Sequence, residues 1–232
     1  DLQDVRGNDS IILKQYADYM DRIQPQAGEL LYNRIAPIYT RGRGPSGYEA
    51  LDSPWLALLG VRYVVTTQHI PNATYELVYQ DEVRIYRNRE AMPRAFVMRC
   101  AAAEPRSEVD WTAVDPRTEL VLETEESVEG TGSEAASFLR LAPCTLDPAR
   151  VVRYTGNEVE IEASGDGGAY LVLADAYFPG WKAYTRPAAG SSSDERELTI
   201  YRAYGNFRAV ELGAGQQIVR FKYTPMSFKL GV

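Results

Sequence analysis

Histidine is almost absent from this chain. His69 is the single one in 232 residues, and the two cysteines, Cys100 and Cys144, have neither a CxxC spacing nor a histidine beside them. A tetrahedral zinc site wants four thiolate or imidazole ligands, so no metal is expected. A serine or cysteine nucleophile wants a neighbouring base, and His69 stands just before Ile70-Pro71 in what reads as a loop, the ordinary setting of a surface imidazole. Positive charge is also short. The 25 Lys and Arg face 32 Asp and Glu, for a net charge of −7, and no basic stripe interleaves with aromatics. A nucleic-acid partner is thereby disfavoured, because that binding draws on clustered cations that neutralise phosphates. No apolar run approaches the roughly 20 residues needed to cross a bilayer, and no charged-then-apolar leader opens the chain. The sequence as given reads as soluble. It starts at Asp1 without an initiator methionine, which points to processing or to excision from something longer.

What is present is the composition of a folded globular protein, 45% hydrophobic and 25% charged, with one or two domains expected. Between Ser10 and Ile23, residues Ile12, Tyr16, Tyr19, Met20 and Ile23 fall at helical spacing, with Ser10 as the expected N-cap. Ser53-Pro54-Trp55-Leu56-Ala57-Leu58-Leu59-Gly60 predicts a short helix capped by Ser, entered by Pro and stopped by Gly. The β-branched run Val61 to Val65 follows it, and further strands are expected at Tyr75 to Tyr79, Val83 to Tyr86 and Arg94 to Met98. An N-terminal α+β domain over residues 1–112 results.

From about Thr118 the helical signals nearly vanish, apart from one short segment at Ser133 to Leu139. Strands are expected at Leu120 to Leu122, Val151 to Tyr154, Val159 to Ile161, Tyr170 to Leu173, Leu198 to Tyr201, Phe207 to Leu212 and Ile218 to Tyr223. Ala188 to Arg196 reads as a polar, mobile hairpin loop. Residues 113–232 thus predict an antiparallel β-sandwich, and the fold class is α+β.

Gly42-Arg-Gly44-Pro-Ser-Gly47 matches the dinucleotide fingerprint in letters only. The mechanism needs a strand before the glycines and a helix after them, whereas a proline interrupts this one, so a flexible loop and no cofactor is the reading. Glu123, Glu125 and Glu126 read as a solvated strand edge, and no carboxylate pair stands out for glycosidic chemistry. No catalytic residue is singled out. Cys100 and Cys144 either pair in an oxidising compartment or remain buried thiols.

The densest feature is Ala174-Asp-Ala-Tyr-Phe-Pro-Gly-Trp-Lys-Ala-Tyr184, which places two tyrosines, a phenylalanine and a tryptophan around a Pro-Gly turn. Two readings stand. The rings pack a corner of the β-sheet, or they form a platform for a sugar, with Asp175 and Lys182 taking hydroxyls and Tyr177, Tyr184 and Tyr204 offering rings. Alternation puts Trp181 on the inner face and Tyr184 on the outer one.

Five segments carry a resemblance: "LLGVRYVV" (Leu58 to Val65), "EVRIYRNREAMPRAFVM" (Glu82 to Met98), "YFPGWKAY" (Tyr177 to Tyr184), "NFRAVEL" (Asn206 to Leu212) and "VRFKYTPMSFKLG" (Val219 to Gly231). Together with "DVRGNDS" (Asp4 to Ser10) they resemble, in order, the extracytoplasmic region of YfhO-like bacterial membrane proteins. One departure is the long Ser-rich loop after Tyr184, where that family tends to have a tight Asp-Gly turn. The resemblance implies a polytopic parent of the GT-C glycosyltransferase type, acting with a polyprenyl-phosphate sugar outside the cytoplasm, its catalytic carboxylate lying elsewhere. This chain would then be a non-catalytic domain resembling a carbohydrate-binding module, which positions an envelope glycan acceptor or a lipid-linked sugar. Its other partners would be the parent's own transmembrane helices. The alternative is a structural or protein-interaction module that binds no carbohydrate. The resemblance further implies that Asp1 and Val232 emerge on one side, with Arg6, Arg208 and Lys229 towards lipid headgroups.

Overall fold

The structure, a computed structural model, describes residues 4–5, 12–25, 38, 47–124 and 137–224. The chain divides into two compact units, residues Asp1–Arg94 and Ala95–Val232. The sequence reading divided it at 112/113. The segment from Ala95 onward belongs with the second unit because its strand is hydrogen-bonded into that unit's sheet.

In the first unit, helix α1 (Lys14–Asp21) buries Ala17, Tyr19 and Met20. Its N-cap is Leu13, three residues later than the expected cap at Ser10, and no side chain caps it. The Tyr19 ring meets Trp55 edge-on at 5.9 Å, and its hydroxyl donates to the Trp55 carbonyl at 2.6 Å. Trp55 stands on α3 (Pro54–Leu58), which follows α2 (Glu49–Asp52). Proline opens α3 as expected, but the Ser53 side chain makes no capping bond. Strands β1 (Tyr63–Thr66), β2 (Tyr75–Gln80) and β3 (Arg84–Asn88) form an antiparallel sheet in the order β1-β3-β2. Tyr86 is buried, whereas Tyr63, Val65, Leu77, Val78 and Tyr79 are exposed.

Every strand pairing among the second unit's described residues is antiparallel. Its first strands are β4 (Ala95–Cys100), β5 (Ala103–Arg106), β6 (Leu120–Thr124), β7 (Ser137–Leu141), β8 (Cys144–Pro148) and β9 (Arg150–Tyr154). Two long strands, β10 (Glu158–Ala176) and β14 (Phe207–Tyr223), pair along their length and form its spine. Strands β11 (Trp181–Pro187), β12 (Arg196–Leu198) and β13 (Tyr201–Ala203) lie between them in the chain. The helix expected from Ser133 to Leu139 is not formed over its described part, since 137–141 is strand β7 paired with β5 and β6. Leu139 and Leu141 alternate with Arg140, and that two-residue period suits a strand.

The spine bends where glycine is required. A Cβ on Gly165 would stand 2.2 Å from the Gly213 carbonyl oxygen and 2.7 Å from Leu212 Cβ, so only glycine lets β10 and β14 approach this closely. Gly167 and Gly168 then take φ of 86° and 127°, and the register shifts between Asp166 and Ala169. Ahead of the bend, β10 and β14 pair with β9 and β11; beyond it, with β4 and β13. Val159, Ile161 and Ala163 from the first half share one buried cluster with Leu171, Leu173, Val210 and Leu212 from the second. The bend therefore turns one face of a continuous ribbon inward upon itself, an arrangement consistent with a β-sandwich.

The outer face of the first half is a grid of opposite charges. Arg220 donates from Nε to Glu195 at 2.8 Å, Arg150 to Glu162 at 2.9 Å and Lys182 to Glu197 at 2.9 Å. The Arg220 guanidinium also covers the Tyr184 ring at 4.9 Å. Residues 188–196 fold more tightly than expected: a 3-10 turn at Ser192–Asp194 carries a reciprocal Ser191/Asp194 capping box. Cys100 and Cys144 face each other across β4 and β8 and are joined as a disulfide.

Candidate functional site

The candidate site is built where β10 ends. A second register shift, between Leu173 and Ala176, places Ala174 and Asp175 in a bulge. Such a bulge re-aims a side chain, and here Asp175 accepts from Arg208 Nη2 at 3.1 Å. The Tyr154 hydroxyl also donates to Asp175, at 3.1 Å.

Arg208 has the same strand parity as Val210 and Leu212, so it points into the open end of the core. It is 2% exposed. That corrects the expectation of Arg208 facing lipid headgroups. Its Nε and Nη1 are buried without a hydrogen-bond partner. Two aromatic rings take that place: the guanidinium carbon lies 3.9 Å from the Trp181 ring centroid and 5.4 Å from that of Phe221. Burial pulls the Arg208 value down to about 10, although Asp175 opposes the shift.

Trp181 shares the inward face of β11 with Ala183 and Thr185 and packs on the core, half-buried. Its ring lies 5.3 Å from that of Tyr223. Beside it opens a cavity of about 410 Å³. Tyr177, Phe178, Trp181, Leu198 and Ile200 are among the residues that line it. Lys182, Glu197 and Thr199 are also among its lining residues, the Lys182–Glu197 ion pair lying towards the outer face of β11. Phe178, following the bulge, is 41% exposed. The Lys182 ammonium donates to Glu197 Oε1, and this hydrogen bond holds Lys182 above its ordinary value.

Of the five residues expected to meet a ligand, Tyr177 and Lys182 line the cavity. Asp175 is held by Arg208 and Tyr154 beneath the corner. Tyr184 lies on the opposite face of β11, under Arg220. Tyr204 is not a surface ring: it is fully buried, adopts φ of 52°, and donates to the Glu119 carbonyl at 2.8 Å. Burial, with Asp115 and Glu119 adding to it, raises its phenol far above the ordinary range.

The segment Glu197 to Ile200 is the part of the lining that the sequence reading missed. Its local pattern is that of a strand continuing to Tyr201. Strand β12 ends at Leu198, and Thr199 and Ile200 connect it to β13 past the cavity.

The other candidates fall outside this site. His69 contacts the Tyr86 hydroxyl through Nδ1 at 3.3 Å. Glu123 is no solvated edge, because Arg202 binds it from Nε at 2.6 Å with the Glu123 side chain only 15% exposed. Glu125, Glu126, Arg6, Lys229, both chain ends and the Gly42–Ser46 part of the glycine motif lie outside the described residues. Among the described residues, no cluster of His, Cys, Asp and Glu is suited to a metal ion, and no helix is long and apolar enough to cross a membrane.

The site is thus an open cavity on an antiparallel β unit whose lining residues include three aromatics, Tyr177, Phe178 and Trp181. Comparisons with protein-family models, with curated proteins and with solved structures found no match for the chain.

Proposed function

We propose that residues 95–232 form a β-sandwich of the carbohydrate-binding-module type, within a non-catalytic extracytoplasmic domain of a membrane glycosyltransferase-like protein. Its role is to position a cell-envelope glycan or a lipid-linked sugar. The observation behind the binding part is the cavity: Tyr177, Phe178 and Trp181 are among its lining residues, together with Lys182, Glu197 and Thr199. Apolar faces with a few convergent polar groups suit a pyranose, whose C–H faces stack on rings while its hydroxyls take hydrogen bonds. The extracytoplasmic setting rests on the YfhO-like segments and draws support from the Cys100–Cys144 disulfide, since such bonds persist in oxidising compartments.

The test is binding of envelope-derived oligosaccharides by the disulfide-bonded chain, compared with Phe178→Ala, which removes an exposed lining ring. The proposal expects saturable binding that the substitution weakens by about 1–2 kcal/mol, by analogy with aromatic stacking on bases. Binding unaffected by the substitution, or no binding, would refute it.

A second reading, a protein-interaction module, is favoured by a different observation. Tyr63, Val65, Leu77, Val78 and Tyr79 leave large apolar side chains exposed on the three-stranded sheet of the first unit.

A further inference from the structure

The three-stranded sheet of the first unit has two edges, and they are not alike. An edge that could pair with another chain is normally blunted by proline, a bulge or charge. Strand β2 carries a bulge, where its register with β3 shifts between Leu77 and Tyr79. The edge strands of the second unit are guarded too: β5 by Pro105, β8 by Asp147 and Pro148, β9 by Arg150, Arg153 and a register shift, and β12 by Arg196 and Glu197. Strand β1, Tyr63-Val64-Val65-Thr66, has none of these devices and pairs only with β3 among the described residues. The Asn88 amide donates to the Arg62 carbonyl at 2.8 Å, so residues 62, 64 and 66 turn their backbone groups towards β3. Tyr63 and Val65 therefore turn theirs to the open edge, and the two residues are 54% and 63% exposed.

We infer that the open edge of β1 is a self-pairing edge whose occupant is β1 of a second copy of this chain, joined antiparallel. The strand is complementary to itself in a register that its backbone permits. With Val64 opposite Val64 on a two-fold axis, Tyr63 of each copy meets Val65 of the other, and each such pair exchanges N–H···O=C bonds in both directions. The seam then sets an aromatic side chain beside a β-branched one twice, a favourable cross-strand combination. Arg62 falls opposite Thr66, so no like charges oppose each other across the seam. Val65 already lies beside Ile85, and Ile85 beside Tyr79. The apolar row on the exposed face thus runs on from Tyr79 through Ile85 and Val65 to Tyr63 of the second copy. The seam is short, which makes the dimer a weak one, with a dissociation constant of roughly 0.1–1 mM. This inference is independent of the saccharide reading, which concerns the second unit, and gives the interaction-module reading a definite partner.

Sedimentation velocity of the disulfide-bonded chain, run from roughly 10 µM to 1 mM, tests it. A reversible shift from monomer to dimer is expected towards the upper end of that range. Tyr63→Lys puts a charge at the seam, and Val65→Pro removes an amide that points away from β3, a place where an edge strand tolerates proline. Each should weaken dimerisation about tenfold or more. Tyr63→Lys alters only an exposed side chain, so it carries the test even where Val65→Pro disturbs the fold. Tyr79→Lys, at a residue 49% exposed on the bulged strand, should leave dimerisation unchanged. A chain that stays monomeric throughout would overturn the inference and leave a different protein as the sheet's partner. A dimer that survives Tyr63→Lys, or one that Tyr79→Lys dissolves, would overturn it as well, because the copies would then be joined elsewhere than at β1.

Discussion

Arg208 and Trp181 reach each other across the core of the second unit, with the guanidinium carbon 3.9 Å from the ring centroid. Arg208 comes from the half of β14 beyond the glycine bend, and Trp181 from β11, which pairs with the half ahead of it. The contact thus closes the end of the fold where the two halves face one another. It also sets the ring whose neighbours line the cavity, so stability and the candidate site meet in one pair.

Removing the cation should expose the cost of its partner. Arg208→Ala strands the Asp175 carboxylate, whose side chain is only 12% exposed. A destabilisation of about 3–5 kcal/mol is expected, as for other broken buried pairs. Adding Asp175→Asn should restore part of it, because the stranded charge is gone. Urea denaturation of both single variants and the double one checks this; strict additivity would mean that the pair is not coupled.

Trp181 and Tyr184 should respond differently to truncation. Trp181→Ala loses core packing and the contact with Arg208, at a cost of about 2–4 kcal/mol. Tyr184→Ala loses an outer-face ring lying under Arg220, at a cost of about 1 kcal/mol or less. Thermal melts run side by side decide the matter, and equal small shifts would contradict the assigned faces.

High pH should unfold the protein through its buried tyrosines. Burial, with Asp4 adding to it, pushes the Tyr16 phenol up to about 12 from an ordinary 10.0. Tyr75 and Tyr204 move further in the same direction, again chiefly through burial. A phenol raised on folding keeps its proton where the unfolded chain has lost it. Its stabilisation is therefore complete below pH 10 and is lost as the pH climbs towards the folded value, by about 1.4 kcal/mol per pH unit and group. Arg208 works the other way above about 10, because its folded value is depressed. Three groups outweigh one. Urea midpoints measured at rising pH should fall above about 10, and Tyr16→Phe should make that fall shallower.

The glycine bend offers a steric test. Gly165→Ala drives a Cβ to within 2.2 Å of the Gly213 carbonyl oxygen, with backbone on both sides of the clash. Gly167→Ala meets no atom within 4 Å and costs only its left-handed φ of 86°. The second change should cost about 1–2 kcal/mol, and the first clearly more. Circular dichroism melts of the two variants give the comparison, and a reversed order would contradict the close approach of β10 and β14.

Most strands were legible because their two-residue alternation survives in the sequence, as in Val219 to Tyr223. The continuity of β10 was not. Val159 to Ile161 and Tyr170 to Leu173 read as separate strands because Gly165 to Gly168 looks like a turn, whereas it is a bend within one strand. Strands β5 and β8 contain Pro105 and Pro148, which mask strand character; both strands lie at the ends of the sheet order, where proline is tolerated. Arg208 was misplaced for a different reason. A cation within "NFRAVEL" looks solvated, although its parity with Val210 and Leu212 points it inward. At the site, the aromatic corner is visible as composition, but its far wall depends on β12 ending at Leu198, which no local pattern announces.

Whether the cavity beside Trp181 takes a saccharide can be tested directly through the three tryptophan side chains. Trp181 lines the cavity; Trp55 is buried on a helix of the first unit, and Trp111 packs edge-on against Phe138. The indole N–H resonances of the disulfide-bonded chain should be followed during titration with methyl hexopyranosides of the gluco, galacto and manno series. A saturable shift of the Trp181 signal is expected while the Trp55 and Trp111 signals stay in place. A Trp181 signal that does not move at any saccharide concentration, or three signals that drift together without saturating, would contradict it.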